Sequence, residues 1–253
     1  MRRLSAAVSF LSRVPIPRAQ ELGAADVGRA TVFFPLVGAA IGAGGVLVLK
    51  LAFLFPAPLT ALFVVAFWAL VTGAIHLDGL ADTADGLGGG RSREEKLRIM
   101  RDPAVGSYGV VTLILLVAVK VTALSTLVAG GVAAPYLILA PTLGRWVTVP
   151  LGRFFADARG ARPEEGGLGS ALTQHVGWLE LLGATAIAGV ITFVAVGANG
   201  LIPWAVVVAV AGILGSWFKR SIGGVTGDTL GAACELCETA VLVTAVGLTS
   251  WAS

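Results

Sequence analysis

Apolar residues fill this chain in long unbroken blocks, at roughly 33–54, 59–75, 108–130, 133–151, 182–199, 203–218 and 236–252. About 20 helical residues, rising 1.5 Å each, cross a hydrocarbon core about 30 Å thick, so the blocks predict about seven transmembrane helices. They lack the period-two alternation of barrel strands. Four polar tracts lie outside the blocks: an N-terminal arm, 76–107, 152–180 and 219–235. No disordered linker or repeat divides the chain. It reads as one membrane-embedded domain over 1–253, an all-α polytopic integral membrane helical bundle.

The same pattern predicts smaller elements within the polar tracts. In MRRLSAAVSFLSRVPIPRAQ, Arg13, Pro15 and Pro17 interrupt any signal-peptide core, so no cleavable signal is expected. Leu4, Val8, Phe10, Leu11 and Val14, set against the arginines, predict an amphipathic helix lying on the membrane. Asp102 followed by Pro103 predicts a helix start with Asp102 as its N-cap. Glu94 and Glu95 ahead of Arg98 read as an ordinary solvated pair.

A composition 56% hydrophobic and only 13% charged, with mean hydropathy +0.88, excludes an ordinary soluble domain. The placement of charge adds an orientation. Fifteen of the eighteen Lys and Arg residues fall in the N-terminal arm and the three later polar tracts, and none in the connections near 55–58, 131–132 and 200–202. The positive-inside rule then sets the N-terminus and every long polar tract in the cytoplasm. A pI near 9.2 reflects that bias and the anionic headgroups of membrane lipids, with a phosphorylated substrate as a second source, rather than nucleic acid. Cys234 and Cys237 form a C-x-x-C with no second Cys/His pair beside it, so they read as small packing residues.

The candidate chemistry begins in HLDGLADTADGLGGG, His76 to Gly90. On a helix Asp78, Asp82 and Asp85 share a stripe about 60° wide, where like charges repel unless a cation sits against them. A divalent metal with oxygen ligands is the simplest such cation, and the plain alternative is solvation of a helix end. Gly79 and Gly86 let a helix, a metal or a phosphate approach the backbone, and Gly88 to Gly90, with Gly89 a further candidate phosphate contact, end the helix. His76 is a candidate base or ligand, ahead of His175, because it abuts the aspartates. A second acidic constellation, GGVTGDTLGAACELCE, offers Asp228, Glu235 and Glu238 as an opposing wall, with helix capping by Thr226 or Asp228 as the plainer use. Among the cations, Arg145 suits a phosphate, and Lys120 suits a phosphate or a structural acid on a neighbouring helix. Arg153, Arg159 and Arg162 stand beside a glycine-rich run suited to a phosphate, though any charged loop shows this composition.

Carboxylates for a hard metal and arginines for phosphate on one membrane face point to metal-dependent phosphoryl transfer. The sequence has no serine–histidine–acid hydrolase pattern, P-loop or dinucleotide fingerprint. An ion-coupled secondary transporter is the rival from another class, but it predicts acids near mid-helix with access from both sides. A CDP-alcohol-type lipid phosphotransferase shares the chemistry, yet the chain lacks the D-G-x-x-A-R continuation after Asp78-Gly79 that its motif needs.

HLDGLADTADGLGGG followed by REEKLRIMRDPAVGSYGV, FLSRVPIP with FPLVGAAIG, and GGVTGDTLGAACELCE together resemble the cobalamin synthase family, the adenosylcobinamide-GDP ribazoletransferases, over essentially the whole chain. The resemblance implies a magnesium-dependent, multi-pass protein of the bacterial inner membrane with its active site facing the cytoplasm. Its substrates would be adenosylcobinamide-GDP and α-ribazole or α-ribazole 5′-phosphate, and its products adenosylcobalamin or its phosphate, plus GMP. Homo-oligomerisation is compatible with it. Carried onto this chain, the first motif falls on Asp78, Asp82 and Asp85, expected as metal ligands with Asp228. The late motif falls on Glu235 and Glu238, expected as co-ligand or base beside Asp82 and His76. Pro103 stands where a small polar residue is expected after Asp102, which favours capping over a metal role for Asp102.

Overall fold

The computed structural model describes residues 2–17, 22–160 and 168–250. Thirteen α-helices make up most of them: α1 (Arg2–Leu11), α2 (Ala24–Ala30), α3 (Phe34–Leu51), α4 (Ala57–Thr72), α5 (Ile75–Gly89), α6 (Arg93–Ile99), α7 (Ser107–Ala129), α8 (Ala133–Trp146), α9 (Thr148–Phe154), α10 (Leu168–His175), α11 (Trp178–Val196), α12 (Leu201–Ile222) and α13 (Gly227–Ser250). Among the described residues no strand forms, and Asp157 and Val225 make one isolated parallel bridge.

Among the described residues four stretches are long and apolar enough to cross a membrane: Ala24–Leu51, Ser107–Ala129, Trp178–Ile222 and Gly227–Thr249. The pair α4 and α5, bent by 90°, makes a fifth if taken as one broken span. The stretch Trp178–Ile222 is itself bent, because Trp204 lies 3.6 Å from where a Cβ on Gly189 would sit. In a straight helix those residues would stand about 22 Å apart. The sequence blocks predict about seven spans, and the block at 133–151 accounts for part of the difference. It breaks into α8 and α9 around Val147, and α8 is buried on nearly every side, as a helix enclosed by other helices must be. Ile114, Leu115, Phe193, Val194 and Ile213 instead turn outward, an apolar surface suited to lipid.

Helices α8 and α13 form the centre. On α3, Gly38 and Gly42 make a G-x-x-x-G that lets α8 approach its backbone. A Cβ on Gly42 would stand 2.4 Å from the carbonyl oxygen of Leu137. That carbonyl is the one Pro141, four residues on inside α8, cannot bond, since proline has no N–H.

Three local features set up one end of the bundle. Gly73 and Ala74 both adopt the left-handed conformation, at φ 63° and 57°, and so turn the chain between α4 and α5. Arg93 donates to the carbonyls of Ile222 and Ala158, each at 2.7 Å, stitching α6 to the end of α12 and to the 155–160 loop. Ser92 caps α6, and Glu95 accepts the Arg91 N–H at 2.9 Å, which holds its carboxyl below the usual range. Glu95 is thus part of a cap rather than only a solvated helix pair.

Two predicted elements differ. Asp102 does not begin a helix; it accepts from the Ala104 N–H in a turn, and α7 starts at Ser107 after Gly106. Helix α1 forms, but it buries Ala6, Ala7 and Leu11 against the protein, and Phe10 stacks on Phe34 with centroids 5.5 Å apart. Small alanines let it dock on α2 and α3, while Leu4 and Val14 stay exposed.

Candidate active site

The 90° turn at Gly73-Ala74 directs α5 across the start of α13. The crossing is close because Gly79 and Gly231 face each other's helices: a Cβ on Gly79 would meet the Asp228 carbonyl oxygen at 2.8 Å. Thr226 and Thr229 cap α13 reciprocally, hydroxyl to N–H at 3.2 and 2.7 Å, which relieves Asp228 of that task. Asp228 instead accepts from Arg159 at 2.6 Å, while the Asp157 carboxylate takes the Arg159 backbone N–H.

The three aspartates of α5 have separate surroundings. Asp85 is buried, and its two oxygens accept the N–H groups of Gly106 and Gly109 at 2.7 and 2.8 Å. It therefore caps α7 from another helix, in a cradle that a Cβ at either glycine would fill. Asp78 and Asp82 have no hydrogen bond or ion pair to their carboxylates within the described residues. Asp82 feels the negative charges of Asp78, Asp228 and Asp85, and the positive charge of Arg159.

Beside them opens a cavity of about 410 Å³, lined on its polar side by His76, Asp78, Arg159 and Asp228. His76 is buried, and its Nδ1 has no partner. The cavity's other large side chains, Phe10, Leu11, Phe34, Ile75, Leu172 and Leu230, are apolar, and Thr148, also on the lining, donates its hydroxyl to the Arg145 carbonyl at 2.8 Å.

Glu235 and Glu238 lie about two to three turns beyond Asp228 on α13, in a separate buried network. Lys120 bonds Glu235 at 2.5 Å and Glu238 at 2.9 Å, and Arg145 bonds the second oxygen of Glu238. Two cations and two anions balance, as burial requires. Lys120 also stands 5.8 Å from the Trp68 ring centroid. Arg145, expected at a phosphate, and Lys120, expected at a phosphate or at a structural acid, thus both serve α13 as counter-ions, and of the late acids Asp228 alone stands beside the α5 aspartates.

The other predicted residues scatter. Gly86, expected beside a phosphate, is covered by α6, where a Cβ would stand 2.8 Å from the Lys96 carbonyl. Gly89 is exposed at the end of α5. Arg153 stacks over Trp178 at 4.8 Å and does not line the cavity. His175 packs on Gly28, and Arg162 lies outside the described residues. Cys234 and Cys237 are buried free thiols. Sequence reasoning missed Arg93, whose acceptors are backbone carbonyls and leave no mark in side-chain spacing. It named Phe10 only as a membrane-facing residue.

Among the described residues no three His, Cys, Asp or Glu side chains already converge as a metal cluster. The donor chemistry still suits a small hard cation. Such an ion takes one or two carboxylates and completes its shell with water and phosphate oxygens, and Asp78 and Asp82 have carboxylates to offer.

Residues 3–246 match the family described as Cobalamin-5-phosphate synthase. The adenosylcobinamide-GDP ribazoletransferase of Pseudomonas putida (strain GB-1) is 42% identical, with 94% of this chain and 95% of the relative covered. The same-named proteins of Roseiflexus sp. (strain RS-1) and Citrobacter koseri are 34% and 41% identical, covering 94% and 92% of this chain and 87% and 94% of theirs. No solved structure matches.

Proposed function

Because the chain belongs to the cobalamin-5-phosphate synthase family, whose curated members are transferases, we propose that it joins adenosylcobinamide-GDP to α-ribazole or α-ribazole 5′-phosphate. The products are adenosylcobalamin or its phosphate, and GMP. One observation carries the reading: the unpartnered carboxylates of Asp78 and Asp82 stand near the Asp228–Arg159 ion pair, beside a cavity walled by buried His76.

In the reaction a ribazole hydroxyl oxygen attacks the corrinoid-bearing phosphorus. A new O–P bond forms, the bond from that phosphorus to the bridging oxygen breaks, and GMP leaves with that oxygen. The imidazole of His76 takes the hydroxyl proton. Arg159, whose Nε has no protein partner, attracts a phosphate oxygen while Asp228 holds the guanidinium in place. Asp78 and Asp82, with Asp228 beside them, would hold magnesium, which supplies charge neutralisation at the diphosphate when bound. Asp85 takes no part in this set because both its oxygens are engaged with α7. Glu235 and Glu238 act as positioning residues that fix α13. The clustering of basic residues in the tracts around the site supports a cytoplasmic orientation in the bacterial inner membrane.

Detergent-purified protein given adenosylcobinamide-GDP, α-ribazole and magnesium should release GMP. EDTA should stop the release, excess magnesium should restore it, and Asp82→Asn should abolish it. No GMP from folded wild-type protein would overturn the proposal.

A further inference from the structure

The proposed transfer brings together two substrates of very different size, and the cavity has room for one. At about 410 Å³ it falls within the range of small-ligand pockets, about 300 to 1,000 Å³. A benzimidazole nucleoside belongs at the low end of that range, whereas a corrinoid carrying a GDP arm is several times larger. We infer that the apolar half of the cavity is the subsite for the aromatic base of the acceptor nucleoside, with Phe10 its specificity-determining wall, and that the corrinoid stays outside. This rests on the transferase reading above.

The chemistry of the lining separates the base from guanine, the other aromatic ring in the reaction. Guanine carries donors and acceptors along its edge, and burying them unpaired is unfavourable. Phe10, Leu11, Phe34, Ile75, Leu172 and Leu230 offer no side-chain polar partner, and the hydroxyl proton of Thr148, also on the lining, is already given to the Arg145 carbonyl. A dimethylbenzimidazole has no exocyclic polar group, and its one free ring nitrogen is the single acceptor on the base. With the base against these side chains, the ribose extends toward His76, Asp78 and Arg159 on the polar side, where its hydroxyl meets the diphosphate. Phe34 is fully buried and packs in the core, but Phe10 is partly exposed and arrives on α1, outside the helices that carry the charged residues. Phe10 can therefore be changed without disturbing Asp78, Asp82 or Asp228.

The test is a steady-state comparison of wild type and Phe10→Ala at saturating donor. The KM for α-ribazole should rise on the order of tenfold, the size of a lost aromatic contact, with the KM for adenosylcobinamide-GDP unchanged within about twofold. A ribose acceptor lacking the base should be used equally by both proteins, which a merely structural role for Phe10 would not allow. Ile75→Trp, which fills the subsite instead of emptying it, should raise the same KM and serves if Phe10→Ala does not fold. A rise confined to the donor KM would assign the cavity to guanine and overturn the inference, as would unchanged constants in folded variants. Calorimetric binding of α-ribazole alone separates the two readings. Tight binding to wild type that weakens in Phe10→Ala supports the subsite even if no GMP is formed, and equal binding to both proteins sinks it even if the transferase is active.

Discussion

Asp82 and Asp85 look interchangeable along one stripe of α5, yet their surroundings give them opposite consequences when changed. Asp82→Asn removes a charge from a group of like charges, so the melting temperature in detergent should stay level or rise while GMP release is lost. Asp85→Ala strands one buried and one part-buried N–H group at the start of α7 and should cost about 2–3 kcal/mol in unfolding, read by thermal melting. Helical periodicity made the stripe legible. It could not separate the members, because the partners of Asp85 are backbone groups 21 and 24 residues away. His76 was legible as a neighbour of the acids, but its unpartnered burial comes from the α5–α13 crossing, a tertiary fact.

At the level of helices, the structure is held by close crossings and by one ion network joining α7, α8 and α13. Gly42→Leu sets a side chain against the Leu137 carbonyl and should destabilise by about 3 kcal/mol or somewhat less, with loss of cooperative melting as the readout. Glu238→Gln leaves Lys120 and Arg145 sharing one carboxylate and should cost about 3–5 kcal/mol. Adding Arg145→Met removes one charge of each sign, leaves Lys120 with Glu235, and should recover part of that loss. The G-x-x-x-G of α3 and the apolar flanks of Lys120 are visible in sequence. Which acid Lys120 meets is not, since Glu235 lies 115 residues later. The double left-handed turn at Gly73-Ala74 was equally hidden, because alanine there gives no signal of the conformation it adopts.

Across the whole molecule, the charge asymmetry of the sequence agrees with one end of the fold: Arg13 bonds the end of α4, Arg93 bonds the end of α12, and the 155–160 and 223–226 loops pair. Orientation is therefore testable with thiol labelling on a quiet background, since both native cysteines are buried. In intact cells a membrane-impermeant maleimide should label Asn199→Cys at the opposite end, and should label Arg91→Cys only after permeabilisation. The helix count was less legible, because a helix enclosed by protein and a helix enclosed by lipid are both apolar, and α8 is of the first kind.

The balanced network of Lys120, Arg145, Glu235 and Glu238 also sets an order of events at the ribosome. Lys120 sits near the middle of α7, where an unneutralised lysine opposes insertion by about 2.5–3.5 kcal/mol. Its acids arrive with the last helix, and at about 5–20 residues per second the two cations wait several seconds for them. A nascent chain stalled before α13 emerges holds two stranded positive charges among its helices, a natural mark for membrane quality-control proteases.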